Sequence, residues 1–354
     1  MVHKALVKVP DEPKPGFTVG VLWNKQLKSK GDVGIEIEVE GSHLPKFDDV
    51  PAPWAYKEDH SLRGTDNAEY VLSKPIEFSK VSKTLAALWA AFDKFKSKID
   101  DSNRTSVHVH LNVQDFHLNR LASFVALYIV FEDVITELCG EHRKGNLFCL
   151  RATDAPAITT VFKKFFQKDG RYEVNSNWHY AGLNPQAIMK FGSLEVRTMR
   201  GVSDPKQIED WISILKRLYD ASETFPDPRS ICASFSMNGP QAMFEEILGA
   251  DAQLVRTNTK LSGSQISDMM YDGIRLAQDI CYCRDWSAYK PVDLKPDPFG
   301  RPSSQVAKSL SQGASPIPQH DTLISAGGYA GINIQVADDE EDYPPDDDDV
   351  EPYF

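Results

Sequence analysis

The sequence lacks the segments by which membrane-spanning and secreted chains are recognised. No run of about 18 apolar residues occurs, which predicts that no helix crosses a membrane. Residues 1–15 mix Lys, Asp, Glu and Pro without an apolar stretch, so we expect no secretory signal. The five cysteines are scattered and odd in number, which favours a reducing, cytoplasmic location. Cys281 and Cys283 have no second thiol pair at zinc-finger spacing, so we interpret them as incidental thiols.

The sequence also lacks the common glycine-rich nucleotide loops and a basic surface. Neither Gly-x-x-x-x-Gly-Lys-Ser/Thr nor Gly-x-Gly-x-x-Gly occurs, so a bound nucleotide is not held by a P-loop or a Rossmann turn. Ten acidic residues lie within residues 338–351, and subtracting them from the net charge of −12 leaves about −2 for the remainder. A nearly neutral body without a basic stripe argues against direct nucleic-acid binding.

Three short segments alternate strictly between apolar and functional side chains. Because successive side chains of a β-strand point to opposite faces, each segment predicts one apolar face and one face of Glu, His or Arg. Such residues are metal ligands and phosphate binders, so neighbouring strands of this kind would form one site. The segments are Gly-Ile-Glu-Ile-Glu-Val-Glu at 34–40, Val-His-Val-His-Leu-Asn at 107–112 and Leu-Glu-Val-Arg at 194–197.

Each segment also has an ordinary explanation when taken alone. Glu36 and Glu38 fit a solvated strand face, His108 and His110 fit two satisfied histidines in a cleft, and Glu195 with Arg197 fits a plain ion pair. Carboxylates about 7 Å apart on one face repel each other, however, and gain from a cation between them. Oxygen-rich clusters with few thiols select hard cations such as Mg²⁺ or Mn²⁺. We expect Glu40, at the strand end, to face solvent.

The rest of the chain mixes strands and helices without regular βαβ units. This mixture predicts an α+β fold with an antiparallel sheet. We expect a helix start at Ser203 or Asp204, with Pro205 in its first turn. The other predicted segments are a strand at 18–23, a loop at 42–58, a strand at 68–73, helices at 80–98 and 121–138, an irregular region at 143–185, and one or two helices at 240–285.

The ordered motifs resemble those of the amidoligase family, which belongs to the glutamine synthetase and glutamate–cysteine ligase superfamily. They run in the order Gly-x-Glu-x-Glu, Asp-x-Ser-Leu with a following Glu and Ser-x-Pro, His-Val-His, Tyr-x-x-Leu-Asn, and Leu-Glu-Val-Arg before Asp-Pro-x-x-Ile. The resemblance covers residues 31 to 225. It implies a sheet whose concave face binds ATP and divalent cations, with helices on the other face. Many members are encoded by bacteriophages, so the resemblance also implies a phage origin and a host-cytoplasmic location.

The resemblance implies a role for each matching residue. Asp59 matches the acid of the Asp-x-Ser-Leu turn and is our candidate for accepting the amine proton. His110 and Arg197 match nucleotide-side and phosphate-binding positions, which Arg200 could reinforce. The implied metal ligands are Glu36, Glu38, Glu69, His108 and Glu195; the implied substrate contacts are Arg143, Asn146, Tyr180 and Asn184. The chain departs from many relatives by having Arg104-Thr105-Ser106 where they have a glycine, and Asp59-His60 where Asp-Gly is usual.

The implied function is ATP-dependent amide-bond formation between a carboxylate and an amine, through an acyl phosphate and with Mg²⁺ or Mn²⁺. Two alternatives stay open: a metal-dependent hydrolase that uses the same residues, and a non-catalytic phage protein that retains the fold. The sequence names neither the carboxylate nor the amine, and it leaves the oligomeric state open.

The chain divides into four predicted parts. We expect an N-terminal extension at 1–30, a catalytic domain at 31–225, a helical continuation of that domain at 226–300, and a disordered acidic tail at 301–354. The tail has too few apolar residues to offset the entropy of ordering it.

Overall fold

A computed structural model describes residues 18–22, 31–63, 66–170 and 176–287 of the chain. The strands are β1 (Val33–Ser42), β2 (Trp54–Lys57), β3 (Asn67–Leu72), β4 (Lys98–Ile99), β5 (Ser106–Asn112), β6 (Leu183–Asn184) and β7 (Ser193–Arg200). The helices are α1 (Val19–Leu22), α2 (Val81–Phe95), α3 (Leu118–Thr136), α4 (Ala157–Gln167), α5 (Gln186–Phe191), α6 (Pro205–Ala221), α7 (Arg229–Leu248), α8 (Asp251–Thr259) and α9 (Gly263–Cys281).

The strands form one antiparallel sheet with the order β2-β3-β1-β5-β7-β6, and β4 pairs with the end of β1. The three alternating segments lie in β1, β5 and β7, which are direct neighbours. The predicted antiparallel sheet in an α+β chain is therefore confirmed. Adjacent placement matters because it collects the polar faces of the three strands on one surface.

The apolar face of the sheet joins the helices in a single hydrophobic core. Ile35, Ile37 and Val109 are fully buried there. Helix α3 is buried along nearly its whole length, which explains why it is apolar on all sides. Helix α9 crosses it closely: a Cβ at Gly273 would lie 2.6 Å from the Ile129 carbonyl oxygen, so only glycine permits this approach.

Helix α6 begins as the sequence predicts. The Asp204 side chain accepts a hydrogen bond from the backbone N–H of Lys206, and Pro205 occupies the first helical position. The predicted strand at 68–73 and the predicted helices at 80–98 and 121–138 correspond to β3, α2 and α3.

Several predictions outside the central strands are wrong. The segment at 18–23 is not a strand: Thr18 makes an isolated bridge, α1 follows, and Trp23 lies outside the described residues. The predicted loop at 42–58 contains β2, which pairs with β3 at the sheet edge. The predicted irregular region contains α4, because Ile158, Phe162 and Phe165 form a buried stripe at helical spacing.

The described residues after 226 are helical as predicted, but they contain three helices instead of one or two. Helix α7 begins at Arg229, and α8 and α9 follow it. Gly239, with a φ of 78°, interrupts α7 just before Pro240, which obscures the pattern of one long helix in the sequence. The predicted acidic tail at 301–354 and most of the predicted extension at 1–30 lie outside the described residues, and the domain boundaries stay a prediction. None of the helices in the described ranges is long and apolar enough to span a membrane.

Candidate active site

The strand register places the Glu and His residues of the central strands opposite one another. Glu36 of β1 pairs with His108 of β5, and His110 of β5 pairs with Glu195 of β7. Paired residues of an antiparallel sheet share a face, so these four side chains lie on the surface opposite the hydrophobic core. We call Glu36, His108, His110 and Glu195 the Glu–His cluster.

A β-bulge in β7 interrupts this alternation beside the cluster. Val107 pairs with Met199 and Val109 pairs with Val196, so β7 has one residue more than β5 over this interval. Thr198 is fully buried, whereas its neighbour Arg197 is partly exposed. The bulge lets β7 present Arg197 on the cluster face while Met199 returns to the core.

Glu36 lies at the centre of the Glu–His cluster. Its Oε2 is 3.3 Å from His108 Nδ1, and its Oε1 is 3.3 Å from His110 Nε2. His108 Nδ1 is also 3.4 Å from Glu195 Oε1. One ligand atom from each of Glu36, His110 and Glu195 lies within 4.8 Å of the others. His108 through Nδ1 and His110 through Nε2 therefore both contact the carboxylate of Glu36.

The electrostatics of the cluster keep its carboxylates ionised. Burial opposes ionisation of Glu36, but His110 and the hydrogen bonds from both histidines hold its pKa well below the usual range. Burial likewise opposes ionisation of Glu195, and Arg197 together with the histidines lowers its pKa. Burial disfavours the charged form of His110, yet Glu36 raises its pKa. Buried anions gathered around imidazoles make a surface that favours a cation.

Arg197 adds a partly exposed guanidinium to the cluster. Its Nη1 donates to Glu195 Oε1 at 2.5 Å, and the pKa of the guanidinium is raised because Glu195 and Glu38 outweigh its burial. Its Nε is buried and has no hydrogen-bond partner within the described part of the chain. A guanidinium that is only partly engaged retains donors for a phosphate or carboxylate.

Glu38 and Glu69 form a second acidic pair beside the cluster. They are directly opposite in the β1–β3 register, and Lys57 Nζ lies 3.7 Å from Glu69 Oε2. Burial and then the charge of Glu36 raise the pKa of Glu69 to about 8, although Lys57 acts in the other direction. Without a compensating cation, Glu69 therefore favours its protonated form at neutral pH.

Two serines in the site were missed by the sequence analysis. Ser106 Oγ lies 2.7 Å from His108 Nε2 and also donates to Glu38 Oε2 at 2.8 Å. Ser193 Oγ lies 3.0 Å from His110 Nδ1. Both serines extend the two-residue alternation by one step, and this spacing is the signal that could have found them.

Two further candidates, Asp59 and Arg200, lie at the periphery of the Glu–His cluster. Asp59 lies in the turn after β2, where its Oδ1 accepts from the Ser61 N–H; its charge contributes to raising the pKa of Glu69, after burial and Glu36. Arg200 lies at the end of β7, where its guanidinium contacts Asp101 at 3.2 Å.

The four predicted substrate residues differ in their surroundings. Asn184 joins the site directly, because its Nδ2 donates to Glu195 Oε2 at 2.7 Å. Arg143 is buried and donates from Nε to the Thr198 carbonyl and from Nη2 to the Arg197 carbonyl, so it supports the bulge. Asn146 closes a turn through the backbone of His142 and Phe148. Tyr180 is 39% exposed and packs edge-on against Phe148.

The expectation for Glu40 is wrong. Glu40 is only 8% exposed, and its Oε1 accepts from the Arg63 N–H at 2.5 Å. The turn that carries Asp59 folds over the end of β1 and covers this carboxylate.

Residues 56–218 match the family model described as "Putative amidoligase enzyme". The match supports the resemblance to amidoligases. It includes Glu69, His108, His110, Glu195 and Arg197, whereas Glu36 and Glu38 precede it. No curated protein matches this chain.

Proposed function

We propose that this protein is an ATP-dependent carboxylate–amine ligase. The observation that carries the proposal is the convergence of the Glu–His cluster and Arg197 on one face of three adjacent strands. The amidoligase match agrees with it. In the proposed reaction the carboxylate attacks the γ-phosphate of ATP and releases ADP. The amine then attacks the acyl phosphate, and amide, inorganic phosphate and a proton are released.

The donors of the site fit a hard divalent cation. They are carboxylate oxygens and imidazole nitrogens without a thiolate, which suits Mg²⁺ or Mn²⁺. We assign the holding of cations to Glu36, Glu38, Glu69, His108 and Glu195, and His110 lies at the same distance from Glu36 as His108. When bound, such cations neutralise phosphate oxygens in phosphoryl transfer.

The remaining side chains would bind and align the substrates. Arg197 would bind phosphate oxygens with the donors that Glu195 leaves available, and His110 would contact the nucleotide side. Asp59 would accept the proton released by the amine, since its turn lies close to Glu69 at the edge of the site. Asn184 donates a hydrogen bond to Glu195, so it would contact the substrate while it orients a carboxylate that binds the cation.

The same proposal extends to the architecture. The sheet would correspond to the catalytic sheet of the glutamine synthetase superfamily, with residues 31–225 as the catalytic domain and 226–300 as its helical continuation. A phage origin and a cytoplasmic location would follow from the same relationship.

A screen for ADP release tests the reaction. The full-length protein is incubated with ATP, Mg²⁺ and pairs of amino acids, peptides and amines, and the product mass is measured. ADP release that requires both substrates, with a product lighter than their sum by one water, is expected.

A binding measurement tests the proposal without knowledge of the substrates. Mg²⁺ and a non-hydrolysable ATP analogue together should raise the melting temperature more than either alone, because the nucleotide supplies ligands to the cation. Tightly bound zinc with no response to nucleotide would instead favour the metal-dependent hydrolase. A protein that binds neither would point to a non-catalytic role.

A further inference from the structure

We infer that Arg143 is a positioning residue: its guanidinium fixes the backbone of β7 at the bulge and so orients the side chain of Arg197 in the site. The resemblance to amidoligases implies instead that Arg143 contacts substrate. The inference rests on the proposed function only for the phosphate that Arg197 would bind. The contacts between Arg143 and β7 lie within the chain.

The guanidinium of Arg143 is engaged inside the protein. Its Nε donates to the Thr198 carbonyl at 3.0 Å, and its Nη2 donates to the Arg197 carbonyl at 2.6 Å. Only 3% of Arg143 is exposed. A side chain buried to this extent offers little surface to a substrate, and two of its nitrogens already donate to backbone carbonyls.

The bulge explains why one side chain reaches two consecutive carbonyls. In a regular strand, successive carbonyls point to opposite edges, where neighbouring strands supply their donors. The bulge leaves residues 197 and 198 without regular partners on β5. The carbonyls of these same two residues accept from Arg143. A buried carbonyl without a donor costs free energy, so Arg143 supplies the donors that the irregular strand lacks.

These contacts determine the direction in which the Arg197 side chain leaves β7. The Arg197 carbonyl is held by Arg143, and the Arg197 N–H donates to the Gly182 carbonyl at 2.9 Å. Both backbone polar groups of Arg197 are therefore fixed. A planar guanidinium that contacts two carbonyls also sets their relative orientation, which a single ammonium cannot do. With its backbone held in this way, Arg197 reaches Glu195 Oε1 through Nη1.

The backbone of Arg143 is fixed as well. Arg143 ends the short 3-10 turn that follows α3, and its N–H donates to the Gly140 carbonyl at 3.0 Å. Its carbonyl accepts from Cys149 Sγ at 3.6 Å. A residue that is held at both backbone groups can support a neighbouring strand without moving.

Two variants of Arg143 test its contacts with β7. Arg143→Met keeps an unbranched side chain but removes every donor, whereas Arg143→Lys can still donate to one carbonyl. Because a displacement of about 1 Å can cost about 100-fold, we expect Arg143→Met to bind the β,γ-imido analogue of ATP with Mg²⁺ about 10- to 100-fold more weakly. Arg143→Lys should lose less, and it serves in the same comparisons if Arg143→Met fails to fold.

Arg120→Met is the matched control. Arg120 also donates to a backbone carbonyl, that of Tyr219, but it joins α3 to α6. This variant should melt at a lower temperature and bind the ATP analogue as the wild type does. Wild-type affinity in both Arg143 variants would overturn the inference.

A double variant shows whether Arg143 acts through Arg197. In the Arg197→Lys background, the further change Arg143→Met should alter the affinity for the analogue by less than about twofold, because coupled residues do not contribute additively. If Arg143 contacted the ligand itself, the two losses would add. Additive losses therefore overturn the inference.

The guanidinium of Arg197 gives a second readout that needs no nucleotide. Its Nε–H signal in ¹H–¹⁵N NMR spectra, assigned from the Arg197→Lys spectrum, should shift in both Arg143 variants and stay in place in Arg120→Met. An Arg197 signal that is the same in the wild type and in both Arg143 variants also overturns the inference.

The two proposals fail in different ways. Wild-type protein that binds no nucleotide would refute the proposed function. The Arg197 signal would still decide whether Arg143 positions that side chain.

Discussion

At the scale of single residues, the carboxylates of the Glu–His cluster are the strongest determinants of the proposed activity. Glu36→Gln and Glu195→Gln keep the shape of each side chain but remove a charge that would face the proposed cation. We expect each variant to lose ligase activity by about 100-fold or more. Both side chains lie outside the hydrophobic core, so no cavity forms. Each variant loses ion pairs with His110 or Arg197 and should melt at a lower temperature, but the transition should stay cooperative.

Glu40→Gln is the matched control, because it alters the same face of the same strand. The glutamine carbonyl can still accept from the Arg63 N–H, so the turn over β1 should stay in place. We expect this variant to keep most of its activity in the ADP-release assay. If Glu36→Gln and Glu195→Gln remained fully active, the cluster would not be the catalytic site.

Arg197 should be sensitive to the geometry of its charge. Arg197→Lys retains a positive charge, but a single ammonium cannot contact Glu195 and a phosphate through a planar fork. We expect a loss of about 100-fold in kcat/KM for ATP, compared with a much smaller loss for Arg200→Lys at the exposed end of β7. Equal activity of Arg197→Lys and wild type would remove Arg197 from phosphate binding.

The residues that the sequence could reveal are those that follow the two-residue alternation. It predicted that Glu36, His108, His110 and Glu195 share a face, and the sheet brings them within contact distance. It could not predict that Glu40 is covered, because the covering Arg63 backbone comes from a separate turn. Nor could it separate Asn184, bonded to Glu195, from Asn146, which closes a turn.

At the scale of elements, the two faces of β1 should respond differently to the same chemistry. Ile37 is fully buried on the core face, so Ile37→Asp places an unpaired carboxylate among apolar side chains. The cost of about 3–5 kcal/mol is a large part of a typical domain's stability, and we expect loss of cooperative unfolding in urea. Ile37→Val should cost only about 0.5–1.5 kcal/mol. A folded Ile37→Asp protein would contradict the burial of this face.

Helix α3 should make the stability of the protein depend on pH. Burial raises the pKa of Glu132 from 4.5 to about 8, although its carboxylate accepts from the Ala152 N–H. The folded state therefore holds a proton that the unfolded chain releases above pH 4.5. This contribution to stability is complete below that pH and is lost as the pH rises towards 8, by an amount on the order of a few kcal/mol.

Glu132→Gln tests this dependence, because glutamine has no charge to bury. Its free energy of unfolding, measured in urea from pH 5 to pH 8 at intervals of about one unit, should fall less steeply than that of the wild type. Glu77→Gln, which alters an exposed carboxyl, should follow the wild-type curve. Parallel curves for Glu132→Gln and the wild type would mean that Glu132 ionises normally in the fold.

The elements that the sequence predicted best have a single strong period. Helix α6 has an Asp cap, a first-turn proline and a buried stripe, and it begins where predicted. Strand β2 is short and lies at the sheet edge among Pro and Asp residues, so its local pattern was that of a loop. Helix α4 shows that aromatic residues near Arg and Asn can still form a regular stripe, which the local composition concealed.

At the scale of the whole molecule, the acidic C-terminal residues should be dispensable for folding. Ten like charges in residues 338–351 repel one another, and the described core lies wholly before residue 288. A chain ending after residue 300 should melt cooperatively near the wild-type temperature and still respond to Mg²⁺ with an ATP analogue. Aggregation of the truncated chain, or a broad transition in calorimetry, would show that the removed residues support the fold.

The order of strands illustrates what a single sequence leaves open at this scale. Alternation showed that three segments have one polar face each, but the pairing of β1 with both β3 and β5 depends on contacts between distant parts of the chain. The shared chemistry of the three polar faces was the only reason to expect them side by side. The Glu, His and Arg residues of the three strands therefore indicated the strand order better than the pattern of apolar residues did.

The bulge in β7 has a consequence for comparing this chain with its relatives. The alternation of side chains along β7 changes at the bulge. Glu195 and Arg197, before the bulge, face the cluster, and after it Arg200 lies on that face while Met199 faces the core. Thr198 is the extra residue at the bulge. If it were removed, Val196 and Met199 would still face the core, and Arg197 and Arg200 would still lie on the cluster face. A related chain that lacks this extra residue would therefore keep the same site. An alignment without a gap here would compare Met199 with active-site residues and Arg200 with core residues.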